Sequence, residues 1–172
     1  MCLPQKIIVP DLTLRIWNIK TSILNQPVRF ITKTFNTGTN QNEIRIINDV
    51  NGHLSAYFLP WKEETGLYID LPCNSPMTNL FLTPSLTGCL IGIKEINKGG
   101  NSFIRICHWN SDKFEMADLQ RYEHWILPQK MKQYASNDNM IYYGNHPSAF
   151  YGEYYDNKWH FTLWQADHDV NE

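Results

Sequence analysis

The chain has 172 residues, of which 42% are apolar and 19% are charged, values that exclude a disordered chain and suit a single domain over residues 1–172. Fifteen lysine and arginine residues nearly balance 17 aspartate and glutamate residues, so the chain lacks the basic field that nucleic-acid binding requires. No apolar run is long enough to span a membrane.

The first half of the chain has the pattern of strands. Residues 12–19 and 28–35 alternate partly between apolar and polar side chains and are rich in β-branched and aromatic residues. Residues 43–50 and 53–59 flank Asn51-Gly52, which is the strongest short signal for a β-hairpin. We therefore predict strands in these segments and a hairpin around Asn51-Gly52.

A second predicted hairpin places a cysteine near a histidine. Two β-branched-rich segments flank a turn that contains Gly99 and Gly100. If Lys98 and Gly99 form the turn, Cys89 lies opposite His108, whereas a Gly99-Gly100 turn places Cys89 diagonal to His108. Cβ atoms of opposite residues are about 4.5–5.5 Å apart and those of diagonal residues about 7–8 Å, so either register brings the two side chains within reach.

Pleat alternation assigns the other side chains of this hairpin to two faces. Cys107 is next to His108 in the sequence but points to the opposite face, so we expect it only to pack. The face that carries Cys89 and His108 also carries Ile91, Ile93, Ile104 and Ile106, and the other face carries Leu90, Lys94, Phe103 and Arg105.

One helix is predicted over residues 113–127, because Asp112 and Glu115 have capping-box spacing and Leu119, Tyr122 and Ile126 share a helical face. Pro128 would end it. Residues 149–155 and 158–164 flank Asp156-Asn157 and predict a last hairpin. Many strands and few helices indicate an α+β fold, with a β-sandwich-like core of mixed sheets flanked by helices and loops.

The four cysteines are Cys2, Cys73, Cys89 and Cys107, which allow two disulfides in three pairings. Residues 1–6 lack the basic and apolar segments of a classical signal peptide, and a domain of this size does not need disulfides for stability. We therefore expect free thiols in a reducing cytosol. Cys2 is predicted to be a mobile terminal residue and Cys73 a loop residue. No Cys-x-x-Cys pair or His-x-x-x-His pattern indicates a metal site.

A cysteine beside a histidine has the chemistry of a thiol enzyme. The imidazole can accept the thiol proton and later give a proton to leaving ammonia. Gly88 allows the backbone to approach the substrate closely, so that backbone N–H groups can stabilise an oxyanion. We therefore predict Cys89 as the nucleophile, His108 as its base and Gly88 as backbone support. The competing interpretations are a buried structural cysteine, a hydrogen-bonded structural histidine and a turn glycine.

The remaining histidines are interpreted as surface or structural residues: His53, His124, His146, His160 and His168.

The segment Thr83-Pro84-Ser85-Leu86-Thr87-Gly88-Cys89, with a histidine on the next strand, resembles the Burkholderia lethal factor family, a relative of the catalytic domain of the cytotoxic necrotizing factors. The family signature Leu-Ser-Gly-Cys stands here as Leu86-Thr87-Gly88-Cys89, which keeps the hydroxyl. The resemblance is sharp over residues 83–89, and the turn before His108 is longer than in the lethal factor. It implies Cys89 as nucleophile, His108 as base and Thr83 as a third catalytic residue that orients His108.

The resemblance also implies the activity and its setting. Family members have a β-sandwich core with helices and loops, and they deamidate one glutamine of a host protein. The target is an RNA helicase of translation initiation or a Rho-family GTPase. For this chain we therefore expect one catalytic domain without cofactor or metal, and a monomer. It would be a secreted bacterial virulence effector without a classical signal peptide that acts in the host cytosol, where translation inhibition would follow from the helicase target.

Two other functions fit the same residues. A transglutaminase or a protease would use the same Cys–His pair and differ in acceptor and substrate groove. A non-enzymatic module that binds a host protein would have Cys89 buried, and the aromatic-rich segment from Tyr142 to Trp164 could form its surface, although such aromatic strands are more often core.

Overall fold

This computed structural model describes residues 5–7, 12–16, 26–36, 42–61, 67–131, 139–144 and 148–165. Strands make up most of these residues. Three short 3₁₀ helices span Ser111–Lys113, Met116–Arg121 and Gln129–Met131. None of the helices in these ranges has the length and apolar character needed to cross a membrane. The strands are β1 (Gln5–Ile7), β2 (Leu12–Ile16), β3 (Val28–Asn36), β4 (Asn42–Asn48), β5 (Leu54–Phe58), β6 (Leu67–Pro72), β7 (Leu80–Leu82), β8 (Leu90–Lys98), β9 (Asn101–Trp109), β10 (His124–Pro128), β11 (Met140–Tyr143), β12 (Ser148–Tyr155) and β13 (Lys158–Gln165).

The strands form two mixed sheets. The eight-stranded sheet has the order β1-β13-β12-β7-β5-β3-β4-β2, and it is parallel at β1/β13, β5/β7 and β2/β4. The five-stranded sheet has the order β11-β10-β8-β9-β6 and is parallel only between β10 and β11. The predicted mixed sheets are thus confirmed, and the α+β class fits in a broad sense, although the described helices are all short.

Both sheets contribute side chains to one apolar layer, which we call the inner core. Removing such side chains from water is the main favourable contribution to folding, at about 1.5–3 kcal/mol for each large one. The eight-stranded sheet contributes Tyr57, Phe81, Phe150, Trp159, Phe161 and Leu163, and the five-stranded sheet contributes Ile69, Leu71, Ile91, Ile93, Ile104, Ile106, Ile126 and Tyr143.

The hairpin predicted at the end of the chain is confirmed. Strands β12 and β13 pair antiparallel, with Tyr155 opposite Lys158. Asp156 and Asn157 form the two-residue turn with φ values of 50° and 57°. Positive φ at both positions is what a type I′ turn requires, and aspartate and asparagine tolerate it.

The hairpin predicted at Asn51-Gly52 is wrong, although the chain does turn there. Strand β3 lies between β4 and β5 and pairs with both of them. The Asp49 N–H donates to the Arg29 carbonyl at 3.0 Å, which ties the turn to β3. Gly52 is buried, and a Cβ there would lie 2.4 Å from the Phe30 carbonyl oxygen. The glycine is therefore required for close approach to β3, and not for a two-residue hairpin.

The helix predicted over residues 113–127 is also wrong. Its described residues form two 3₁₀ helices followed by β10, and Tyr122 has an extended backbone with φ −133° and ψ 153°. Leu119 and Tyr122 pack on the outer side of the five-stranded sheet, whereas Ile126 lies in the inner core. The residues around Ile126 are apolar because both faces of β10 are buried. On a helical wheel the same apolar residues fall on one side, so the pattern resembles that of an amphipathic helix.

A buried carboxylate joins β6 to β9 on the outer side of the five-stranded sheet. Asp70 is 5% exposed and lies directly opposite Arg105, which donates to it through Nε at 2.7 Å and Nη2 at 2.9 Å. Lys98 also donates to Asp70. Burial favours a higher pKa for Asp70, but the bonds from Arg105 and Lys98 outweigh it and lower the pKa.

We expect Arg105→Met to lower the free energy of unfolding by about 3 kcal/mol, because it removes the bidentate hydrogen-bond donor of the buried Asp70 carboxylate. Urea denaturation at pH 7 measures the loss. Lys98→Met is the matched control, since the Lys98 side chain is 54% exposed and its loss should cost less than about 1 kcal/mol. Equal losses in the two variants would contradict this assignment.

Candidate active site

The β8–β9 hairpin has the second of the two predicted registers. Gly99 and Gly100 form the turn, with φ values of 56° and 81°. Ile91 lies opposite His108 and Leu90 opposite Trp109. Cys89 directly precedes β8, so it lies one residue beyond the Leu90–Trp109 pair, toward Asn110.

The predicted division of this hairpin into two faces is confirmed for its buried residues. Ile91, Ile93, Ile104 and Ile106 belong to the inner core. Leu90, Cys107 and Trp109 belong to a cluster on the opposite side of the sheet, which we call the outer cluster, together with Trp125, Leu127 and Met131. Burial raises the pKa of Cys107 to about 11, which fits the packing role predicted for it.

His108 is buried between its neighbours on β8 and β6. It is 3% exposed and lies between Ile91 and Leu67 in the register of the sheet. Burial lowers its pKa to about 4, against a small opposing effect of the Pro60 carbonyl. Neither ring nitrogen has a hydrogen-bond partner of normal geometry within the described residues. His108 is therefore an uncharged imidazole at neutral pH, and both of its ring nitrogens are buried.

Cys89 is half-buried at the start of the same hairpin. Burial raises its pKa, while a hydrogen bond with the Trp61 side chain and the nearby charge of Lys130 lower it, and Asp112 raises it. The net effect is an increase, so the sulfur is a protonated thiol in the resting protein. Trp61 itself is 40% exposed, which places the thiol beneath an aromatic side chain that solvent and ligands can reach.

Cys89 and His108 approach consecutive residues of one segment. The thiol hydrogen-bonds the side chain of Trp61, and the imidazole faces the carbonyl of Pro60. Both residues of this segment follow β5, in the eight-stranded sheet. The two predicted reactive groups therefore lie at the same end of the molecule, against the same stretch of backbone.

The Thr83 hydroxyl faces backbone carbonyls and not the His108 imidazole. It is fully buried, and its hydroxyl lies within donating distance of the carbonyls of Pro84 (3.0 Å) and Phe150 (3.2 Å). Leu86 and Ser148 exchange two backbone hydrogen bonds, at 2.7 and 3.0 Å. The segment before Cys89 is thus fastened to β12, and Thr83 contributes to that fastening.

Gly88 has the backbone conformation expected of a residue that lets a ligand approach. Its φ is 134°, and a Cβ built on it would have no atom within 4 Å. Its N–H donates to the phenol oxygen of Tyr143 at 2.9 Å, and that phenol donates to the Cys89 carbonyl at 2.7 Å. Since the Gly88 N–H is already bonded, an oxyanion at this turn would have to use the Cys89 N–H.

Trp61 and Tyr143 were not predicted as site residues. Tyr143 belongs to an aromatic-rich stretch that is typical of core strands, and Trp61 follows an apolar strand. No local motif connects either residue to Cys89, because both reach it from more than 25 positions away through tertiary packing. Only their residue types, aromatic side chains with one polar atom, are typical of such positions.

The other cysteines and histidines do not join this site. Cys73, Cys89 and Cys107 are free thiols, and Cys73 lies in a loop, as predicted. Among the described histidines, His53 is exposed, His124 lies in β10 and His160 stacks on Tyr155. In the same ranges, no three His, Cys, Asp or Glu side chains are grouped as a metal ion would need. Cys2, His146 and His168 lie outside the described residues.

Comparison with known proteins adds no relative to this picture. A scan against protein-family models found no match, and a search of curated proteins found none either. The features that bear on function are therefore the motif over residues 83–89 and the geometry of the site.

We predict that His108 makes the protein less stable in acid. The pKa of His108 is about 4 in the folded protein and about 6.5 in the unfolded chain, so between these values the unfolded chain binds more protons. Stability is therefore lost as pH falls from 6.5 to 4, by roughly 3 kcal/mol in total. Urea denaturation across this range should give a shallower pH dependence for His108→Gln.

The control for this measurement is His53→Gln, which replaces an exposed histidine and should keep the wild-type pH dependence. A wild-type pH dependence in His108→Gln would show that the buried imidazole is not its source.

Proposed function

We propose that this protein is a cysteine-dependent protein-glutamine deamidase of the lethal factor type, which converts one glutamine of a host protein to glutamate. The observation that carries the proposal is the approach of the Cys89 thiol and the His108 imidazole to the adjacent residues Pro60 and Trp61. A half-buried thiol and an uncharged imidazole that lie against adjacent residues supply the nucleophile and the base that attack on an amide requires.

The first half of the reaction releases ammonia. The Cys89 sulfur forms a bond to the carboxamide carbon of the glutamine while its proton moves to His108. The tetrahedral oxyanion then collapses, the C–N bond breaks, and His108 returns the proton to the leaving nitrogen. The products of this half are ammonia and a thioester between Cys89 and the substrate.

The second half restores the enzyme. Water attacks the thioester carbon and gives a proton to His108, and the second tetrahedral intermediate expels the Cys89 sulfur, which takes that proton back. The net reaction is glutamine plus water to glutamate plus ammonia. No oxidant, metal or organic cofactor enters the balance.

The protonation states of Cys89 and His108 before substrate binds favour a first proton transfer that accompanies bond formation. The pKa of Cys89 is raised and that of His108 is lowered, so a separate thiolate–imidazolium pair is unfavourable before substrate binds. The proton therefore moves as the carbon–sulfur bond forms, when the developing charge is on the substrate oxygen. His108 is suited to this role because burial keeps it unprotonated at neutral pH.

Backbone around the turn completes the site. The Cys89 N–H stabilises the oxyanion, and Gly88 leaves open space through which the substrate backbone approaches. The resemblance assigns Thr83 to the orientation of His108. In this proposal Thr83 contributes less than the other two, because its hydroxyl faces the carbonyls of Pro84 and Phe150 and is not bonded to either ring nitrogen of His108.

The substrate and setting follow from the same resemblance. The protein acts as a monomeric bacterial effector in the host cytosol, on a translation-initiation helicase or a Rho-type GTPase, and inhibits translation in the former case. Two mixed sheets around one core are in keeping with the β-sandwich of the toxin deamidases. The half-exposed Trp61 beside the nucleophile suits a substrate that presents its glutamine on a protruding protein segment.

We expect wild-type protein added to a eukaryotic lysate to raise the mass of one glutamine-containing peptide by about 1 Da, as replacement of NH₂ by OH requires. Cys89→Ser should abolish this change, and His108→Ala should slow it by about 10²–10⁴-fold. Thr83→Ala should have a smaller effect than either. Mass spectrometry of the digested lysate gives the measurement and identifies the target.

Cys107→Ala is the matched control, because Cys107 adjoins His108 but points into the outer cluster, and it should retain the activity. Full activity in Cys89→Ser would refute the mechanism. Incorporation of an added amine at the same glutamine would instead identify a transglutaminase, and cleavage of the target a protease. No modified protein, with Cys89 inert to iodoacetamide, would favour a binding module.

A further inference from the structure

A buried tyrosine from another strand holds the backbone on both sides of the Gly88–Cys89 peptide bond. Tyr143 is 1% exposed and ends β11, at the edge of the five-stranded sheet. Its phenol oxygen accepts from the Gly88 N–H at 2.9 Å, and the phenol donates to the Cys89 carbonyl at 2.7 Å. One hydroxyl thus uses both its donor and an acceptor position on the two residues of the turn.

These two bonds restrain the ends of the dipeptide and leave its central peptide group free. The Cys89 N–H belongs to that central group, and neither bond to the Tyr143 phenol uses it. Gly88 has φ 134°, a value that other residues rarely adopt, so the turn needs both a glycine and an external restraint. The phenol supplies that restraint from 55 positions away in the sequence.

We propose that Tyr143 is a positioning residue that fixes the Gly88–Cys89 turn, so that the Cys89 N–H points to the developing oxyanion and the sulfur points toward His108. The proposal rests on the proposed deamidase function. It assigns to a core tyrosine a role that its ring alone does not require, since phenylalanine would fill the same space.

The surroundings of Tyr143 suit a permanent hydrogen-bond donor. Burial raises its pKa, and the bond from the Gly88 N–H only partly offsets this. The phenol is therefore protonated at neutral pH, where it can donate to the Cys89 carbonyl. Displacement of a reacting group by about 1 Å can reduce a rate by about 10²-fold, so loss of this restraint should be visible in turnover.

The experiment compares Tyr143→Phe with Tyr154→Phe. Tyr154 is the matched control because its phenol also donates to a cysteine carbonyl, that of Cys73, at 2.7 Å, away from the site. Steady-state deamidation of a peptide or protein that contains the identified glutamine should show kcat lowered by about 10–10²-fold in Tyr143→Phe, with KM within about twofold of wild type. Tyr154→Phe should keep both constants.

Amide hydrogen exchange of the segment over residues 86–92 provides a second measurement that does not depend on activity. We expect exchange of this segment to be at least about tenfold faster in Tyr143→Phe than in Tyr154→Phe, with the exchange of β9 unchanged. Wild-type kcat in Tyr143→Phe, or unchanged exchange in this segment, would overturn the positioning role while leaving the deamidase function intact. Absence of deamidation by the wild-type protein would overturn the proposed function itself, and the positioning role of Tyr143 with it.

Discussion

The pleat of the β8–β9 hairpin determines where most side chains of the five-stranded sheet lie. The Gly99-Gly100 turn fixes the register, and alternation then sends the isoleucines and His108 to one face and Cys107 and Trp109 to the other. Both faces are buried, one in the inner core and one in the outer cluster, so a slip by one residue would exchange the two sets. The position of the histidine is therefore a consequence of the packing of the whole sheet.

Two buried polar side chains of this sheet, Asp70 and His108, differ in their hydrogen bonding. Asp70 is surrounded by donors from Arg105 and Lys98, which compensate its burial and make it a structural link between strands. His108 is equally buried but has no hydrogen-bond partner of normal geometry among the described residues. Folding normally satisfies such groups, and a group left unsatisfied costs stability. His124 and His160 each have one buried ring nitrogen without a partner among the described residues, whereas His108 has two and also lies against the Pro60 carbonyl, next to Trp61.

The site is built from segments that are distant in the sequence and share no motif. The segment after β5 brings Trp61 and Pro60 to the thiol and the imidazole, and β11 brings the Tyr143 phenol to the turn. Aromatic residues serve both purposes here because their rings fill the core while a single polar atom at the tip makes a directed bond. The same packing that stabilises the two sheets therefore also restrains the backbone around Cys89.

The sequence by itself determined the features that depend on neighbouring residues. Asp156-Asn157 and Gly99-Gly100 specify turns through the φ values they tolerate, and alternation then predicts which buried side chains of the β8–β9 hairpin share a face. Only the tertiary structure decided the rest. The Asn51-Gly52 turn leads around β3 and not into a hairpin, and residues 124–128 form a strand because both of its faces are covered. Pairing partners, two-sided burial and the contacts of Tyr143 depend on residues far away in the chain, and local patterns carry no information about them.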